Sequence, residues 1–358
     1  MQYHVQNHYL SSTPSTPPVI IMPYTVTLSP DNTEFPINDN EPILAAAKRY
    51  GLNLPHSCQN GICGQCKAEI LEGEIIQGPH AELALSSEET VHGKILMCCC
   101  GVKSNIHLKV PAYNGIKAPP VKTLPTRITA IEIRNHTAIV TLTLPKAPPF
   151  IFHPGQYIDI LLPNNQTRSY SIANNPQYTE WLELHIRKHD NGLFSNMIFN
   201  DKPTVQPKSI LRIRGPLGTF SLREGQKPII FLAAGTGFAP IQSMLHHLIN
   251  IDSIRPIHLY WGMRTIQDFY ALDTAENLIA QLPNARFTPV LSRANSDWHG
   301  ARGYVQDHVI QDYPDLSGYE VYTCGSPQMI QAAKTVLSER CRLPEHAFFS
   351  DIFLPAST

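Results

Sequence analysis

Three cysteines crowded into one short segment constrain this chain more than any other feature. Cys58, Cys63 and Cys66 follow the pattern C-x4-C-x2-C, and a run of three further cysteines begins at Cys98. Three thiolates at this spacing, completed by a fourth from a distant segment, form the ligand set of a [2Fe–2S] cluster. The spacing therefore predicts one loop that wraps an inorganic core and presents three sulfurs to it.

Two glycines inside this segment support the prediction. Gly61 and Gly64 stand where a tight wrap needs positive φ or close backbone approach. A zinc site is the alternative, because C-x2-C also occurs in structural zinc sites, where it is paired with a second C-x2-C or with H-x3–5-H. No such second pair follows here, so the pattern favours iron and sulfide.

The fourth ligand is expected from the three adjacent cysteines. Residues 95–97, Ile-Leu-Met, predict a buried strand that leads into the cluster, and this favours Cys98. Cys99 and Cys100 would then be small thiols that are partly buried. Each of them stays open as an alternative ligand.

Length and composition bound the class of protein. A chain of 358 residues predicts two or three domains, and its formal net charge of −1 gives no basic surface for nucleic acid. No apolar run is long enough to span a bilayer. Six of the eight cysteines lie within residues 58–100, which is no disulfide framework and indicates a reducing, cytoplasmic location. Residues 1–22 lack the basic start of a secretory signal and predict a disordered tail, or sequence upstream of a true start at Met22.

The pattern along the chain predicts three folded units. Residues 23–113 alternate short strands with one helix. Residues 114–125 hold one glycine and three prolines without hydrophobic period, and predict a semi-stiff linker. Residues 126–225 are all strands and turns, which predicts a small antiparallel barrel. Residues 226–358 alternate apolar strands with helices, which predicts a parallel sheet of βαβ units.

A polar run ends one predicted strand of the barrel. Arg168, Tyr170 and Ser171 place a cation, a phenol and a hydroxyl within four residues, and can hold a pyrophosphate, a flat ring and a ring nitrogen. In a strand, Arg168 and Tyr170 share one face while Ser171 points the other way. Alone, the run is equally compatible with ordinary surface.

Two further turns strengthen the case for a bound phosphate. The segment from Gly192 to Ser195 opens a predicted helix, where exposed N–H groups and the helix dipole favour an anion. Residues 215–220, Gly-Pro-Leu-Gly-Thr-Phe, predict a tight glycine turn at a strand end.

Residues 235–240, Gly-Thr-Gly-Phe-Ala-Pro, lie between an apolar strand and an amphipathic helix. That is where α/β sheets bind dinucleotides, although Pro240 replaces the third glycine of G-x-G-x-x-G and weakens the signal. Cys324 and Gly325 repeat the arrangement at a later strand end, beside the expected crevice. Cys324 alone is equally typical of a core residue.

Taken together and in this order, these motifs resemble the ferredoxin–NADP reductase superfamily with a plant-type ferredoxin fused at the N-terminus. The likeness covers nearly all of residues 23–358, and is greatest to reductase components of multicomponent oxygenases and to CDP-6-deoxy-Δ3,4-glucoseen reductases. It rests on the four-cysteine pattern, R-x-Y-S, G-x-x-S, G-T-G-x-A-P, C-G and residues 349–353. It implies a multidomain fold: a β-grasp ferredoxin (α+β) over 23–113, an antiparallel β-barrel FAD domain over 126–225, and an α/β parallel-sheet NAD domain over 226–358.

The resemblance also implies roles for matching positions. The cluster would be held by Cys58, Cys63, Cys66 and Cys98. Arg168 would contact the FAD pyrophosphate, Tyr170 the isoalloxazine face, and Ser171 the region of flavin N5. Gly192 and Ser195 would hold phosphate.

On the same resemblance, the nicotinamide nucleotide would be received at the glycine turn and the later strand end, by Gly235, Thr236, Gly237 and Gly325. Thr236 and Cys324 would lie near the nicotinamide. Asp351 and Phe353 match the acidic–x–Phe ending of many relatives, although several have Glu. The residues implied to act around hydride transfer are Tyr170, Ser171, Thr236, Cys324, Asp351 and Phe353.

We therefore predict an NAD(P)H:acceptor oxidoreductase. Electrons would pass from NAD(P)H through FAD and a [2Fe–2S] cluster to a partner protein, such as an oxygenase or sugar dehydratase component. The alternative is a stand-alone flavin reductase or diaphorase with a structural or sensory metal domain. NADH is favoured because Asp268 would repel a 2′-phosphate, while Arg264 leaves NADPH possible.

Overall fold

The computed structural model of the chain describes residues 24–56, 58–110, 113, 119–163 and 166–353. The predicted tail over residues 1–22, and residues 114–118 of the predicted linker, lie outside the described residues. Within the described ranges, no helix combines the length and the apolar character needed to cross a membrane.

The first unit is a mixed five-stranded sheet with a helix packed across it. Its strands are β1 (Tyr24–Ser29), β2 (Thr33–Ile37), β3 (Lys67–Glu72), β4 (Ile75–Gln77), β5 (Lys94–Leu96), β6 (Cys100–Val102) and β7 (Ile106–Lys109). Its helices are α1 (Ile43–Arg49) and α2 (Ser87–Val91). The sheet order is β2-β1-β7-β3-β5, and of its pairs only β1 with β7 is parallel. A separate ribbon joins β4 to β6.

Alternating side chains explain this unit. Val26 and Leu28 on β1 are fully buried, and α1 covers the sheet with Ile43, Leu44 and Ala47. Burial of one sheet face under one apolar helix stripe is the solution expected for an α+β domain of this size. The predicted β-grasp fold is confirmed.

The second unit is an antiparallel barrel. Its elements are β8 (Lys122–Arg134), β9 (Thr137–Thr143), β10 (Tyr157–Leu161), β11 (Thr167–Ser171), β12 (Trp181–Arg187), α3 (Leu193–Phe199) and β13 (Ile210–Leu217). The strands run in the order β11-β10-β13-β8-β9-β12, and a bridge between Ile172 and Leu184 joins the two outer strands. Alternate side chains such as Val140 and Ile158 fill the interior.

Strand β8 begins at Lys122, inside the predicted linker over residues 114–125. The prolines there suggested an irregular segment, but Pro125 lies opposite Arg212 in the ladder with β13 and does not end the strand. The linker prediction is therefore wrong for residues 122–125, which are part of the barrel.

The third unit is a six-stranded sheet of parallel strands. Its strands are β14 (Ile229–Ala234), β15 (Ile257–Met263), β16 (Ala285–Leu291), β17 (Ala301–Arg302), β18 (Glu320–Gly325) and β19 (Phe348–Ile352). Its helices are α4 (Phe238–Asn250), α5 (Leu272–Ala280), α6 (Val305–Asp312) and α7 (Pro327–Cys341). Apolar clusters cover both faces, as parallel sheets require.

The strand order of this sheet is β17-β16-β15-β14-β18-β19. The chain therefore runs outward from β14 on one side and then returns to β18 on the other. Ligands of open α/β sheets bind at such a switch point, outside the carboxyl ends of the strands. The ends of β14 and β18, at Ala234 and Gly325, mark the place.

Hydrogen bonds join the three units. Gln65 Nε2, in the cysteine loop of the first unit, donates to Ser350 Oγ on β19 at 2.8 Å. The barrel meets the parallel sheet where Gln242 Nε2 on α4 donates to Glu183 Oε1 on β12 at 2.8 Å. The cysteine loop is thus held against the unit that contains the switch point.

Candidate functional site

The cysteine loop is closed by hydrogen bonds from its own backbone N–H groups to its own sulfurs. The Cys58 N–H donates to Cys63 Sγ at 3.4 Å, and the Cys63 N–H donates to Cys58 Sγ at 3.3 Å. Gly61 and Gly64 have φ of +77° and +72°, as predicted for a tight wrap. A Cβ on Gly64 would also lie 2.9 Å from the carbonyl oxygen of Ala84, so only glycine fits there.

The four predicted ligands lie as two pairs of thiols. Cys58 contacts Cys63, and Cys66 contacts Cys98. Among the described residues, no three His, Cys, Asp or Glu side chains meet as ligands of a single metal ion. Two pairs of thiols match the donor set of two irons that share bridging sulfides, so the residues fit a [2Fe–2S] cluster.

The same contacts favour one thiolate in each pair. The pKa of Cys58 falls to about 5, first because of the Cys63 thiol beside it and further because backbone N–H groups face its sulfur. The pKa of Cys98 falls to about 7, chiefly because of the Cys66 thiol. In each pair the other thiol has a raised pKa, chiefly because it donates to its neighbour. Metal binding requires deprotonated sulfur, which the N–H groups of the loop stabilise.

The three adjacent cysteines face different surroundings. Cys98 lies beside Cys66, whereas Cys99 Sγ accepts from Gln77 Nε2 at 3.3 Å. Cys100 is fully buried in the core of the first unit. The geometry therefore supports Cys98 as the fourth ligand, and this assignment stays a prediction.

The polar run of the barrel lies on β11 as the sequence predicts. Arg168 and Tyr170 are half-buried on one face, and Ser171 is buried on the other. The Tyr170 ring lies 5.8 Å from that of Phe194 at the start of α3, and burial raises the pKa of Tyr170. Arg168 donates to the neighbouring Thr167 carbonyl at 2.7 Å and has no carboxylate partner within the described residues. Its charge is available for an anion such as a pyrophosphate.

Ser195 is closed into its own turn. Its Oγ accepts from the His189 N–H at 3.2 Å and lies 3.2 Å from the carbonyl oxygen of Gly192. A Cβ on Gly192 would come within 2.2 Å of that hydroxyl. The structure thus shows a serine that shapes the turn before α3, and the predicted phosphate contact of Gly192 and Ser195 stays a prediction.

The glycine turn after β14 is packed against the end of β18. Gly235 has φ of +59°, and a Cβ on Gly237 would lie 2.1 Å from the carbonyl oxygen of Cys324. Thr236 between them is half-exposed. The positive φ at Gly235 and the close carbonyl at Gly237 each call for glycine, as the glycine turn of a dinucleotide-binding sheet does.

The C-terminal strand completes this edge. Asp351 on β19 lies opposite Cys324 on β18, and the Phe353 N–H donates to the Gly325 carbonyl at 2.9 Å. Burial raises the pKa of Cys324, and the Asp351 carboxylate raises it further. The structure therefore brings together at one edge of the parallel sheet residues that lie far apart along the chain: Gly235, Thr236, Gly237, Cys324, Gly325, Asp351 and Phe353.

Comparisons with known proteins agree with this arrangement. A 2Fe-2S iron–sulfur cluster binding domain matches residues 26–103, an oxidoreductase FAD-binding domain residues 126–222, and an oxidoreductase NAD-binding domain residues 231–335. The chain is 42% identical over 336 residues to the CDP-6-deoxy-L-threo-D-glycero-4-hexulose-3-dehydrase reductase of Yersinia pestis, an alignment that covers 94% of this chain and 100% of that protein. The chain belongs to the ferredoxin–NADP reductase superfamily.

Two further relatives show the same organisation in this superfamily. The reductase is 32% identical to the anthranilate 1,2-dioxygenase electron transfer component of Acinetobacter baylyi, over 90% of this chain and 94% of that protein. The crystal structure of the Amycolatopsis cytochrome P450 reductase GcoB matches with a TM-score of 0.75 at 28% identity, covering 93% of this chain and all of that one. The predicted fold class, the three cofactors and the electron-transfer function are confirmed. The iron–sulfur domain match also decides against zinc.

Sequence reasoning missed one arginine of this reductase. Arg187 ends β12, and a Cβ on Gly235 would lie 3.4 Å from its guanidinium nitrogen. It is half-buried, and no ion pair holds it in the part of the chain that the structure describes. Its position at the end of a predicted strand was visible in the sequence, but its approach to the glycine turn comes from a different unit.

A second cation joins Arg264 at the neighbouring strand ends. The Arg293 N–H donates to the Arg264 carbonyl at 2.8 Å, so the two residues are adjacent beyond β15 and β16. Both side chains are exposed, and neither forms an ion pair within the described ranges. Asp268 differs, because its Oδ2 accepts from the Thr265 N–H and Oγ1, each at 2.9 Å, and so caps a short turn.

Proposed function

We propose that this reductase transfers electrons from NAD(P)H, through FAD and a [2Fe–2S] cluster, to a protein partner that dehydrates a CDP-linked 6-deoxy-4-hexulose. Support for this acceptor comes from the 42% identity along the whole of the Yersinia pestis dehydrase reductase, against 32% to the dioxygenase component. An oxygenase component is the second candidate acceptor.

The hydrogen bond from Gln65 to Ser350 is the observation that carries the proposal. Gln65 adjoins the thiol of Cys66, and Ser350 adjoins Asp351 at the nicotinamide crevice. The cluster loop is therefore in direct contact with the unit proposed to receive NAD(P)H, which packs the two ends of the proposed electron path into one assembly. A diaphorase with a merely structural metal domain has no need of this contact.

We assign the groups to residues as follows. Cys58, Cys63, Cys66 and Cys98 hold the cluster. FAD, when bound, would supply the chemistry that links a two-electron hydride donor to a one-electron acceptor.

The other side chains bind and orient. Arg168 would donate to the FAD pyrophosphate, Tyr170 would pack against the flavin ring, and Ser171 would lie at the side of flavin N5. Gly235 and Gly237 allow the dinucleotide to approach β14 closely, and Arg187 supplies a positive charge beside it. Burial around Cys324 and Asp351 excludes water from the crevice.

The structure weakens the predicted preference for NADH over NADPH. The preference for NADH rested on Asp268, whose carboxylate is engaged in capping its own turn. Arg264 and Arg293 together offer two cations at the strand ends where the adenosine ribose is expected, and an arginine there accommodates a 2′-phosphate. We therefore propose that the reductase uses both NADH and NADPH.

The same observations support the domain limits and the location. Each matched range lies inside one of the proposed domains, 23–113, 126–225 and 226–358, with the barrel extended to Lys122. A thiolate-held cluster is stable in a reducing compartment, so we place the protein in the cytoplasm.

The test is reconstitution with a purified partner. NADH, CDP-6-deoxy-L-threo-D-glycero-4-hexulose, a 3-dehydrase and the FAD- and cluster-loaded reductase are mixed without oxygen. We expect deoxygenated sugar to form only when the reductase is present. Absence of product, together with NADH-driven turnover of a dioxygenase component, would favour the second candidate.

A further inference from the structure

The glycine turn over residues 215–220 has no part in the assignments above, yet it touches the cluster loop. Thr219 Oγ1 accepts from the His56 N–H at 2.9 Å and lies 3.2 Å from the His56 carbonyl oxygen. His56 is 6% exposed and precedes the first cysteine of the loop by two positions. One hydroxyl of the barrel thus satisfies both backbone groups of a buried residue in the first unit.

A tyrosine of the flavin-binding strands lies at the same place. Tyr157 begins β10 and is paired with Ser171 on β11 in the ladder. Its ring packs on Gly218, where a Cβ would lie 2.8 Å from two ring carbons. Only a glycine beside Thr219 leaves room for this ring.

The cluster loop reaches toward this ring from the other side. The Gln59 side chain, adjacent to Cys58, faces the Tyr157 hydroxyl. Gln59 is itself held by Lys48, whose Nζ donates to Gln59 Oε1 at 2.6 Å. Tyr157 therefore lies between the strand assigned to flavin N5 and the loop assigned to the cluster.

We propose that Tyr157, Gly218 and Thr219 form a docking seat that holds the cluster loop on the flavin-binding strands. Thr219 and Tyr157 are then positioning residues for electron transfer between the two groups. The docking seat rests on the proposed function, since it orients the cluster toward the flavin that reduces it.

Thr219→Val is the main test, because it keeps the shape of the side chain and removes both hydrogen bonds to His56. An unpaired His56 N–H would shift the equilibrium between the docked and the undocked cluster loop by roughly tenfold. We therefore expect the rate of cluster reduction to fall by up to about tenfold. Stopped-flow absorbance of the loaded reductase follows flavin reduction and cluster reduction separately. Flavin reduction by NADH should keep its wild-type rate.

Two matched variants separate positioning from stability. Thr219→Ser keeps the hydroxyl and should restore the wild-type rate of cluster reduction. Thr126→Val removes a hydroxyl that donates to the Thr143 carbonyl at 2.7 Å in the same barrel, away from the cluster loop. This variant should leave cluster reduction unchanged even if it unfolds at a lower temperature.

A second readout needs no turnover. Hydrogen exchange of the oxidised, fully loaded protein should show faster exchange at the His56 amide in Thr219→Val, and wild-type exchange in Thr219→Ser. Tyr157→Phe, which keeps the ring, should slow cluster reduction less than Thr219→Val does.

Unchanged cluster reduction and unchanged exchange in Thr219→Val would overturn the docking seat. Failure of the wild-type protein to pass electrons to its cluster would instead contradict the proposed function. The exchange measurement would still decide whether Thr219 holds the loop.

Discussion

The cluster loop and the proposed nicotinamide site are built in opposite ways. Three of the four predicted cluster ligands lie within nine residues, from Cys58 to Cys66, on one loop shaped by its own backbone. The proposed nicotinamide site draws on β12, β14, β18 and β19, and the backbone there packs so closely that Gly237 has no room for a Cβ. A local site depends on ligand chemistry, whereas a distributed site depends on how whole elements are packed.

Cys58→Ser should give the largest effect, and this effect should be confined to the cluster. Loss of one thiolate removes a cluster ligand, so visible absorbance of the cluster and reduction of protein acceptors should vanish. NADH-driven reduction of a small dye should continue, because the flavin and nicotinamide residues are untouched. Loss of dye reduction in a folded, FAD-loaded variant would contradict the separation of the two sites.

Gly237→Ala should impair the proposed nicotinamide site and leave the cluster intact. The new Cβ would lie 2.1 Å from the Cys324 carbonyl oxygen, and relief of such overpacking costs about 1–3 kcal/mol. We expect the KM for NADH to rise roughly tenfold while cluster absorbance is unchanged. Gly318→Ala is the control, since nothing lies within 4 Å of a Cβ there. Equal kinetics for the two variants would show that the crevice tolerates rearrangement.

Arg168→Ala should act on FAD alone. Loss of a charge-assisted contact to phosphate costs about 1.5–3 kcal/mol, so the Kd for FAD should rise by roughly ten- to hundredfold. Fluorescence titration of the flavin-free protein measures it. Arg127→Ala, an exposed arginine on β8 of the same barrel, should leave the Kd unchanged. An unaltered Kd in Arg168→Ala would remove the pyrophosphate assignment.

Arg293→Ala should give the smallest effect. An exposed cation gains little from its partner in water, so kcat/KM for NADPH should fall only roughly fivefold, with NADH unchanged. Arg286→Ala, an exposed arginine near the other end of β16, serves as the control and should change neither. A parallel fall for NADH and NADPH would exclude a 2′-phosphate contact at Arg293.

Prediction from sequence succeeded where the determinants are local. The tight turn with positive φ at Gly61 and Gly64, the strand with Arg168 and Tyr170, and the helix after the glycine turn are all found as predicted. It failed for residues 122–125, because a proline in a strand looks like a linker until its partner strand is known. It also missed Arg187 and Arg293, because neither belongs to a motif. Arg187 is a candidate only because it lies beside Gly235, and Arg293 only because it lies beside Arg264.

The amino-acid sequence by itself determined the kind of chemistry, because a thiolate spacing and short glycine turns carry their ligand preference within a few residues. Only the tertiary structure decided which distant residues meet: Cys66 with Cys98, Gly237 with Cys324, and Thr219 with His56. These contacts depend on the packing of three separately folded units, and no local propensity encodes the distance between residues that lie far apart along the chain.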